Sequence, residues 1–466
     1  MLVTAWVAMV VALMVFVWIG LRGRSAKDSL DDYLTARGSQ NASALGLSFV
    51  ASGLGAWILF APPELGAFVG PVAVAGYALG AALPFLVFAA FGGSVRRMLP
   101  EGRSLGEFAQ VRLGTPVRRW VASISALYML CFLTAELTAV GAITEMLSGI
   151  PAWVAVMGVT ISTLIYTTWG GLRASLLTDR WQAWLLLALL VLIGFSLFSG
   201  PSFAPQVTDA KPLPAVPPGA ALSVALTLVI AITAANLFHQ GYWQRLWAAQ
   251  DLRALKSGAL LGAVLTVAAI ATVGGLGMLA VTRGADLGQP PVPFFALVAG
   301  GPVWLKISTL VLALALVASS VDTLQSGLAS LIVTEGRRSS MAMARWITVL
   351  LMVPVVLVAL QGISVLRLFL IADLLCATAV IPVLLGAWRR MSSRAALGGC
   401  AAGLAGAVLP GWIQGGSLGA GLVAASFPGS VPTLWPFLGA LSASAVVSLT
   451  LAWAWPQPQA RLASNR

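Results

Sequence analysis

Five acids and one arginine stand inside otherwise apolar runs of the chain: Glu64, Glu136, Asp179, Asp322, Asp373 and Arg367. A charged side chain at bilayer depth costs on the order of 3 kcal/mol or more, so each calls for a reason. Glu136, between Ala135 and Leu137, is the most deeply placed acid, and a carboxyl there can bind a substrate amine, carry a coupling proton or hold a basic partner. Asp322 follows Ser319 by three residues, almost one helical turn, so both can face one cavity where the carboxylate tunes the field for a cation; the alternative is a hydrogen-bond clamp to a neighbouring helix. Ser319-Ser320 supplies two adjacent hydroxyls, which can equally satisfy backbone carbonyls or let helices approach closely. Asp179 precedes Arg180, which allows an interfacial ion pair. His239, the only histidine, crowds into one turn with Asn236, Gln240 and Gly241. Arg367 and Asp373 are six apart and do not face each other on one helix: Arg367 reads as interfacial, and Asp373 has no assigned role. Glu64 follows Pro62-Pro63 and reads as solvent-exposed, with a gate or vestibule role as the alternative.

The elements that position these groups follow from composition. The 466 residues are 59% hydrophobic and 9% charged, far below the roughly 25% charge of soluble globular chains. A water-soluble fold is excluded, and the apolar residues gather in bilayer-length blocks. Cys131, Cys376 and Cys400 all lie inside apolar runs and read as packing residues rather than a disulfide framework. Thirteen transmembrane helices are predicted, near 2–21, 41–65, 71–95, 119–148, 152–171, 175–199, 219–247, 256–281, 303–334, 342–362, 364–388, 395–413 and 433–455. An apolar piece around Leu422 is too short to cross and is expected in a loop. The first helix lacks a basic leader and a cleavage pattern, so it is expected to be retained.

The formal charge of +12 suggests nucleic acid only if Lys and Arg share one face, and here they punctuate the spans instead. With the N-terminus outside, three basic residues (Lys211, Arg283 and Lys306) fall in outer loops and Arg367 begins a span. The other 23 of 27 face inside, among them Arg22, Arg24, Lys27, Arg96, Arg97, Arg245, Arg337, Arg338, Arg461 and Arg466. The C-terminus is then inside. Two helices look interrupted. Gly53 and Gly55 flank Leu54 ahead of Pro62-Pro63 in the second, and the Asn236–Gly241 cluster breaks the seventh. Five helices separate the two starts, an odd number, so the halves enter from opposite faces, as in inverted-repeat transporters.

With these features the chain resembles the sodium:solute symporter family, whose fold is the leucine-transporter type of two inverted five-helix repeats. The resemblance rests on Asp31-Asp32-Tyr33-Leu34 with Gly46-Leu47-Ser48, and on Ser104-Leu105-Gly106-Glu107-Phe108 through Arg112-Leu113-Gly114. It continues in Trp169-Gly170-Gly171-Leu172-Arg173 with Thr178-Asp179 and Gln182, then Gln244-Arg245-Leu246 and Ala318-Ser319-Ser320-Val321-Asp322. It implies an extra N-terminal helix and loop over 1–30, a first repeat over 31–200, a second over 212–390, and two further helices with a short tail over 391–466. It also implies a co-transported sodium ion, held by backbone carbonyls of Ala51, Leu54 and Leu316 and hydroxyls of Ser319 and Ser320. Neutral oxygens of this kind suit a hard monovalent cation. Asp179, with Asp322, would lie on the ion pathway.

For the solute, Asn236-Leu237-Phe238-His239 is similar to a turn of sugar-transporting relatives, which makes Asn236 a substrate-site candidate and His239 a gate candidate; Ala56, Trp57 and Glu136 are the further substrate-binding candidates. Sugar-transporting relatives carry polar side chains just after the ion-binding carbonyls, whereas this chain has Ala56-Trp57-Ile58-Leu59. A sugar needs several hydrogen bonds, so a smaller solute such as an amino acid, a monocarboxylate or a similar metabolite is expected. The sequence reading is therefore an all-α protein of the cell membrane that couples sodium to uptake of a small organic solute by alternating access. It would act as a monomer or homodimer in the bilayer, without nucleic acid and without covalent catalysis, since no phosphate loop, metal-spaced histidines or activated nucleophile is present. A proton-coupled symporter of the same fold is one alternative. The other is a sensory module, disfavoured because the chain stops about ten residues past its last predicted helix.

Overall fold

A computed structural model describes residues 1–23, 29–199, 212–288, 291–335, 340–362, 365–429 and 432–456. Seven of the basic residues used for orientation, Arg24, Lys27, Lys211, Arg337, Arg338, Arg461 and Arg466, lie outside these ranges.

The described residues are predominantly helical, with no strand among them. In chain order the helices are α1 (Leu2–Leu21), α2 (Leu30–Thr35), α3 (Ala42–Gly53), α4 (Ala61–Phe68), α5 (Pro71–Met98), α6 (Leu105–Leu113), α7 (Thr115–Ser148), α8 (Ala152–Ser199) and α9 (Pro218–Leu237). They continue as α10 (Gln240–Ala248), α11 (Leu252–Thr282), α12 (Pro293–Ala299), α13 (Val303–Glu335), α14 (Met341–Ala359), α15 (Val365–Leu385), α16 (Ser393–Gly415), α17 (Leu418–Ala425) and α18 (Leu434–Ala454), with a 3-10 turn over Ala56–Leu59. Among the described residues eleven helices are long and apolar enough to cross a membrane, or twelve if α3 and the segment through α4 form one bent span.

That bend is 65°. It falls where Leu54 and Gly55 adopt extended backbone between α3 and the 3-10 turn, so the glycine-flanked interruption read from sequence is real and lies in mid-span. The second interruption is real too: α9 stops at Leu237 and α10 starts at Gln240, with Phe238 and His239 between them. At 48 residues α8 is about 70 Å long, more than twice the hydrocarbon thickness of a bilayer. It breaks at Gly171, whose φ of 56° and ψ of −140° are non-helical, between the two predicted spans. The short α17 has eight residues and is too short to cross.

Packing sorts the spans into a centre and a rim. In α13, 83% of the spanning window is buried, against 22% in α1 and in α14 and 28% in α18. Lipid gives no hydrophobic drive between helices, so close contact of small residues and polar bonds must hold the centre. The α13 stretch Ala313–Ser320 is buried at every position. The charged end of the bundle is held by ion pairs. Arg173 makes a two-point contact with Asp32 at 2.6 and 2.7 Å, and Asp31 pairs with Arg37 at 3.0 Å and Arg103 at 2.9 Å. Ser104 accepts from the Glu107 amide while Glu107 accepts from the Arg103 amide at 2.6 Å, which caps α6.

Asp31 carries a pH signature. Burial raises its pKa, but the hydrogen bonds and charges of Arg37 and Arg103 outweigh that and hold it below the ordinary 3.8. A depressed folded-state value means stability that is present above the unfolded value and lost as pH falls through the folded one. Asp31→Asn is therefore expected to lower the thermal midpoint at neutral pH, with the gap to wild type closing below about pH 4. A gap independent of pH would assign the loss to packing.

Candidate functional site

The break in the second span points its two ends at different partners. On one side, the Ala51 carbonyl near the end of α3 accepts from the Ser319 hydroxyl of α13 at 2.8 Å, and the same hydroxyl donates to the Leu316 carbonyl at 3.0 Å. Ser320 lies next to it, fully buried, its hydroxyl oxygen without a hydrogen-bond partner among the described residues. Ala51, Leu316 and Ser319 thus form one oxygen cluster across two helices; Ser320 follows Ser319 directly and Leu54 lies three residues after Ala51, both wholly buried. On the other side, the Ala56 amide donates to Glu136 Oε2 on α7 at 2.8 Å. A carboxylate at the start of a half-helix meets its unsatisfied amides and its positive dipole end. Gly55 is glycine for a steric reason: a Cβ there would lie 1.9 Å from Glu136 Oε1.

Beyond the break lies a cavity of about 590 Å³. Trp57 and Asn236, two of the candidates named from sequence, line it together with Glu64, Tyr77, Tyr128 and Asp373. Trp57 stacks on Tyr77 at 5.1 Å, and the Tyr128 hydroxyl donates to Asn236 Oδ1 at 3.4 Å, which fixes the amide at the wall. Three sequence candidates lie off this wall. Ala56 is turned to the Glu136 cap, Glu136 itself is fully buried behind the break, and His239 is stacked on Tyr242 at 4.6 Å. Glu136 holds backbone amides rather than a basic side chain. Glu64 is half-buried in the cavity wall rather than in open solvent.

Toward the arginine-rich end the remaining acids are bound into a polar core. Asp179 pairs with Arg245 at 2.6 Å, both side chains fully buried, and Arg180 is not its partner. Ser48 of α3 donates to the same Asp179 oxygen at 2.7 Å and accepts from Arg245 Nε at 2.8 Å. Arg245, counted from sequence among the basic residues at the membrane face, is instead in the protein interior; the break after α9 carries α10 inward and presents its guanidinium to α8. Asp322 accepts from Tyr166 at 2.7 Å, Ser175 at 2.6 Å and Thr178 at 2.9 Å. These three flank the Gly171 break, so Asp322 clamps both halves of α8 to α13, the alternative role considered for it. Thr323 links the Asp179–Arg245 pair to Asp322, accepting from Arg245 at 3.2 Å and donating to Asp322 at 3.4 Å. At Gly171 the Tyr33 carbonyl would be 2.4 Å from a Cβ, and the Tyr33 hydroxyl donates to the Thr167 carbonyl at 3.0 Å. Gln244 reaches the Leu34 carbonyl at 2.6 Å, and Gln240 bridges the Leu105 amide and the Arg103 carbonyl. The five sequence runs that carry the family resemblance, scattered over some three hundred residues, thus converge in space.

Comparison with known proteins agrees. Residues 33–289, more than half of the chain, match the model of the sodium:solute symporter family. The chain belongs to the sodium:solute symporter family. A curated relative, the spermidine transporter DUR31 of Candida albicans, is 31% identical over 371 residues, covering 76% of this chain and 69% of the relative. Among solved structures, a Na+-coupled sialic acid symporter in a substrate-bound outward-open state aligns over 98% of this chain and 99% of its own at a TM-score of 0.72 and 16% identity. Mhp1, a nucleobase-cation-symport-1 family transporter in a closed conformation with bromovinylhydantoin bound, aligns over 93% of this chain and 97% of its own at a TM-score of 0.58, also at 16% identity. The symporter-family protein is thus an all-α, multi-pass protein of the cell membrane with the leucine-transporter type of fold, a transporter and not an enzyme.

Proposed function

We propose that this symporter-family protein couples inward sodium movement to uptake of a small organic solute. The observation that carries the reading is the single break at Leu54–Gly55, which serves both sites. Its upstream end offers the Ala51 carbonyl to the Ser319 hydroxyl, which also donates to the Leu316 carbonyl, and its downstream end presents Trp57 to the cavity. Sodium would be held by Ala51, Leu54 and Leu316 carbonyls with the Ser319 and Ser320 hydroxyls, the Ser319 proton turning away from the carbonyls when the cation arrives. An ion bound there ties α3 to α13, and the tie sets the backbone that carries Trp57. Sodium and solute then stabilise the same arrangement, which is a reciprocal coupling.

Asp179 and Asp322 would line the ion's route at the arginine-rich end, which the basic-residue bias places in the cytoplasm. Their bonds to Arg245, Tyr166, Ser175 and Thr178 close that end while the cavity on the other side of the break is formed. Opening inward requires these bonds to part, and alternating access between the two repeats supplies the motion. The relative's printed substrate, spermidine, makes amines the first solutes to try.

The test is uptake into proteoliposomes under imposed gradients. A sodium gradient is expected to drive accumulation, and Ser319→Ala with Ser320→Ala is expected to raise the half-saturating sodium concentration about tenfold, equivalent to 1.4 kcal/mol of ion binding. Accumulation that follows a proton gradient and ignores sodium would assign the coupling to protons instead.

A further inference from the structure

Two carboxylates line the cavity, and no cationic side chain answers them among the described residues. Asp373 on α15 is 7% exposed, projects into the cavity, and has neither a hydrogen bond nor an ion pair among the described residues. Glu64 on α4, just past Pro62-Pro63, is half-buried at the same cavity and likewise without a partner among them. Among the described residues the lining contains no Lys, Arg or His. Every other buried acid of the bundle is bonded: Asp179 to Arg245, Asp322 to three hydroxyls, Glu136 to the Ala56 amide. A buried polar group without a partner is costly unless something binds it, so the missing partner at Asp373 is expected to be brought by the solute.

We propose that Asp373 and Glu64 are paired ammonium anchors, and that the solute is a linear organic dication with an amino group toward each end. The assignment rests on the reading of this cavity as the solute site of a sodium-coupled symporter. The same cavity is lined by Trp57, Tyr77, Tyr128 and Phe132, aromatic rings of a kind that attracts alkylammonium groups and whose carbon surface suits a methylene chain. The other solutes considered from sequence fit less well. A monocarboxylate meets two acids and no base. A zwitterionic amino acid satisfies one acid and leaves its own carboxylate unpaired, while a neutral polyol finds few neutral hydrogen-bonding groups in Asn236, Tyr77, Tyr128 and Thr138. With two anchors, selectivity for two charges over one is built into the cavity: Asp373, the more buried, fixes one ammonium and Glu64 the other.

The experiment uses the full-length chain in detergent and in proteoliposomes, with 1,4-diaminobutane, spermidine and the monoamine n-butylamine as probes. Wild type is expected to bind both polyvalent amines at least tenfold more tightly than butylamine. Asp373→Asn is expected to weaken all three amines by tenfold or more, with Asp373→Glu recovering part of the loss. Glu64→Gln is expected to weaken only the two polyvalent amines and so erase the preference. The sodium-induced rise in thermal midpoint, measured without amine, should survive in each variant and reports that the protein is folded. Unchanged amine affinity in Asp373→Asn, or equal binding of butylamine and diaminobutane by wild type, overturns the proposal. The two readings fail separately. A sodium shift with no amine binding removes the amine assignment and leaves sodium coupling, whereas amine binding with no sodium dependence does the reverse.

Discussion

Replacing Arg245 by methionine is expected to cost about 3–5 kcal/mol of stability, because it strands a fully buried Asp179 without its cation. The guanidinium contributes more than the ion pair. It donates to the Gly241 carbonyl at 2.7 Å, to Ser48 at 2.8 Å and toward Thr323 at 3.2 Å, so one side chain joins α3, α8, α10 and α13. Removing both charges in Arg245→Met with Asp179→Leu is expected to recover most of the loss, since the largest cost of the single variant is the uncompensated carboxylate and not the missing attraction. Thermal unfolding of the four members of this cycle in detergent decides the matter. A single variant as stable as wild type would show that the pair contributes nothing net, and a double variant no better than the single would assign the loss to Arg245's other three bonds. Uptake should fall in both variants, because the same bonds close the arginine-rich end while solute is held on the other side of the break.

Arg245 also shows what a sequence can and cannot disclose about such a fold. Apolar runs, glycine and proline placed both interrupted spans correctly, because a bilayer leaves the backbone little choice and any departure from helix must be written in residues that weaken one. Depth along the membrane normal is therefore legible, and the helix limits show it: α1 spans Leu2–Leu21 and the run around Leu422 is a short helix in a connection. Lateral position is not legible, because a residue's neighbours on other helices are set by how the spans pack. Asp179 was read against its chain neighbour Arg180, yet its partner is 66 residues away. From sequence, Asp373 has no assigned role, and Glu64 reads as solvent-exposed with a gate or vestibule role as the alternative. Nothing in the chain indicated that α4 and α15 bring them to one cavity, or that Tyr77 and Tyr128 join them there. The short α2, α6 and α12 went unread for a related reason: their apolar faces meet the bundle and not lipid, so they leave no bilayer-length block.

Gly55→Ala is expected to reduce uptake by an order of magnitude or more, and the defect should depend on a residue 81 positions away. An added Cβ would fall 1.9 Å from Glu136 Oε1 and 2.4 Å from the carboxyl carbon, a clash relieved either by turning the carboxyl away from the Ala56 amide it holds or by moving the break. Either response loosens the capped backbone that runs from Leu54, a proposed sodium ligand, to Trp57 in the cavity wall. Sodium affinity and solute affinity are therefore expected to worsen together, whereas an unrelated structural defect would lower the amount of folded transporter and leave both constants alone. Glu136→Ala relieves the clash but leaves the Ala56 amide without its acceptor, a loss of about 1–3 kcal/mol for a buried donor. The double variant should then transport better than Gly55→Ala alone, so the cycle is predicted to be non-additive with compensating sign. Glu136→Gln retains an oxygen for the amide and loses only the charge, and it should keep most of the activity if the carboxylate serves to hold the break. If instead Glu136→Gln abolishes sodium-driven uptake while the folded protein and its ion-induced stabilisation persist, the carboxylate's charge is required during transport itself, and the coupling proton considered from sequence returns as its role.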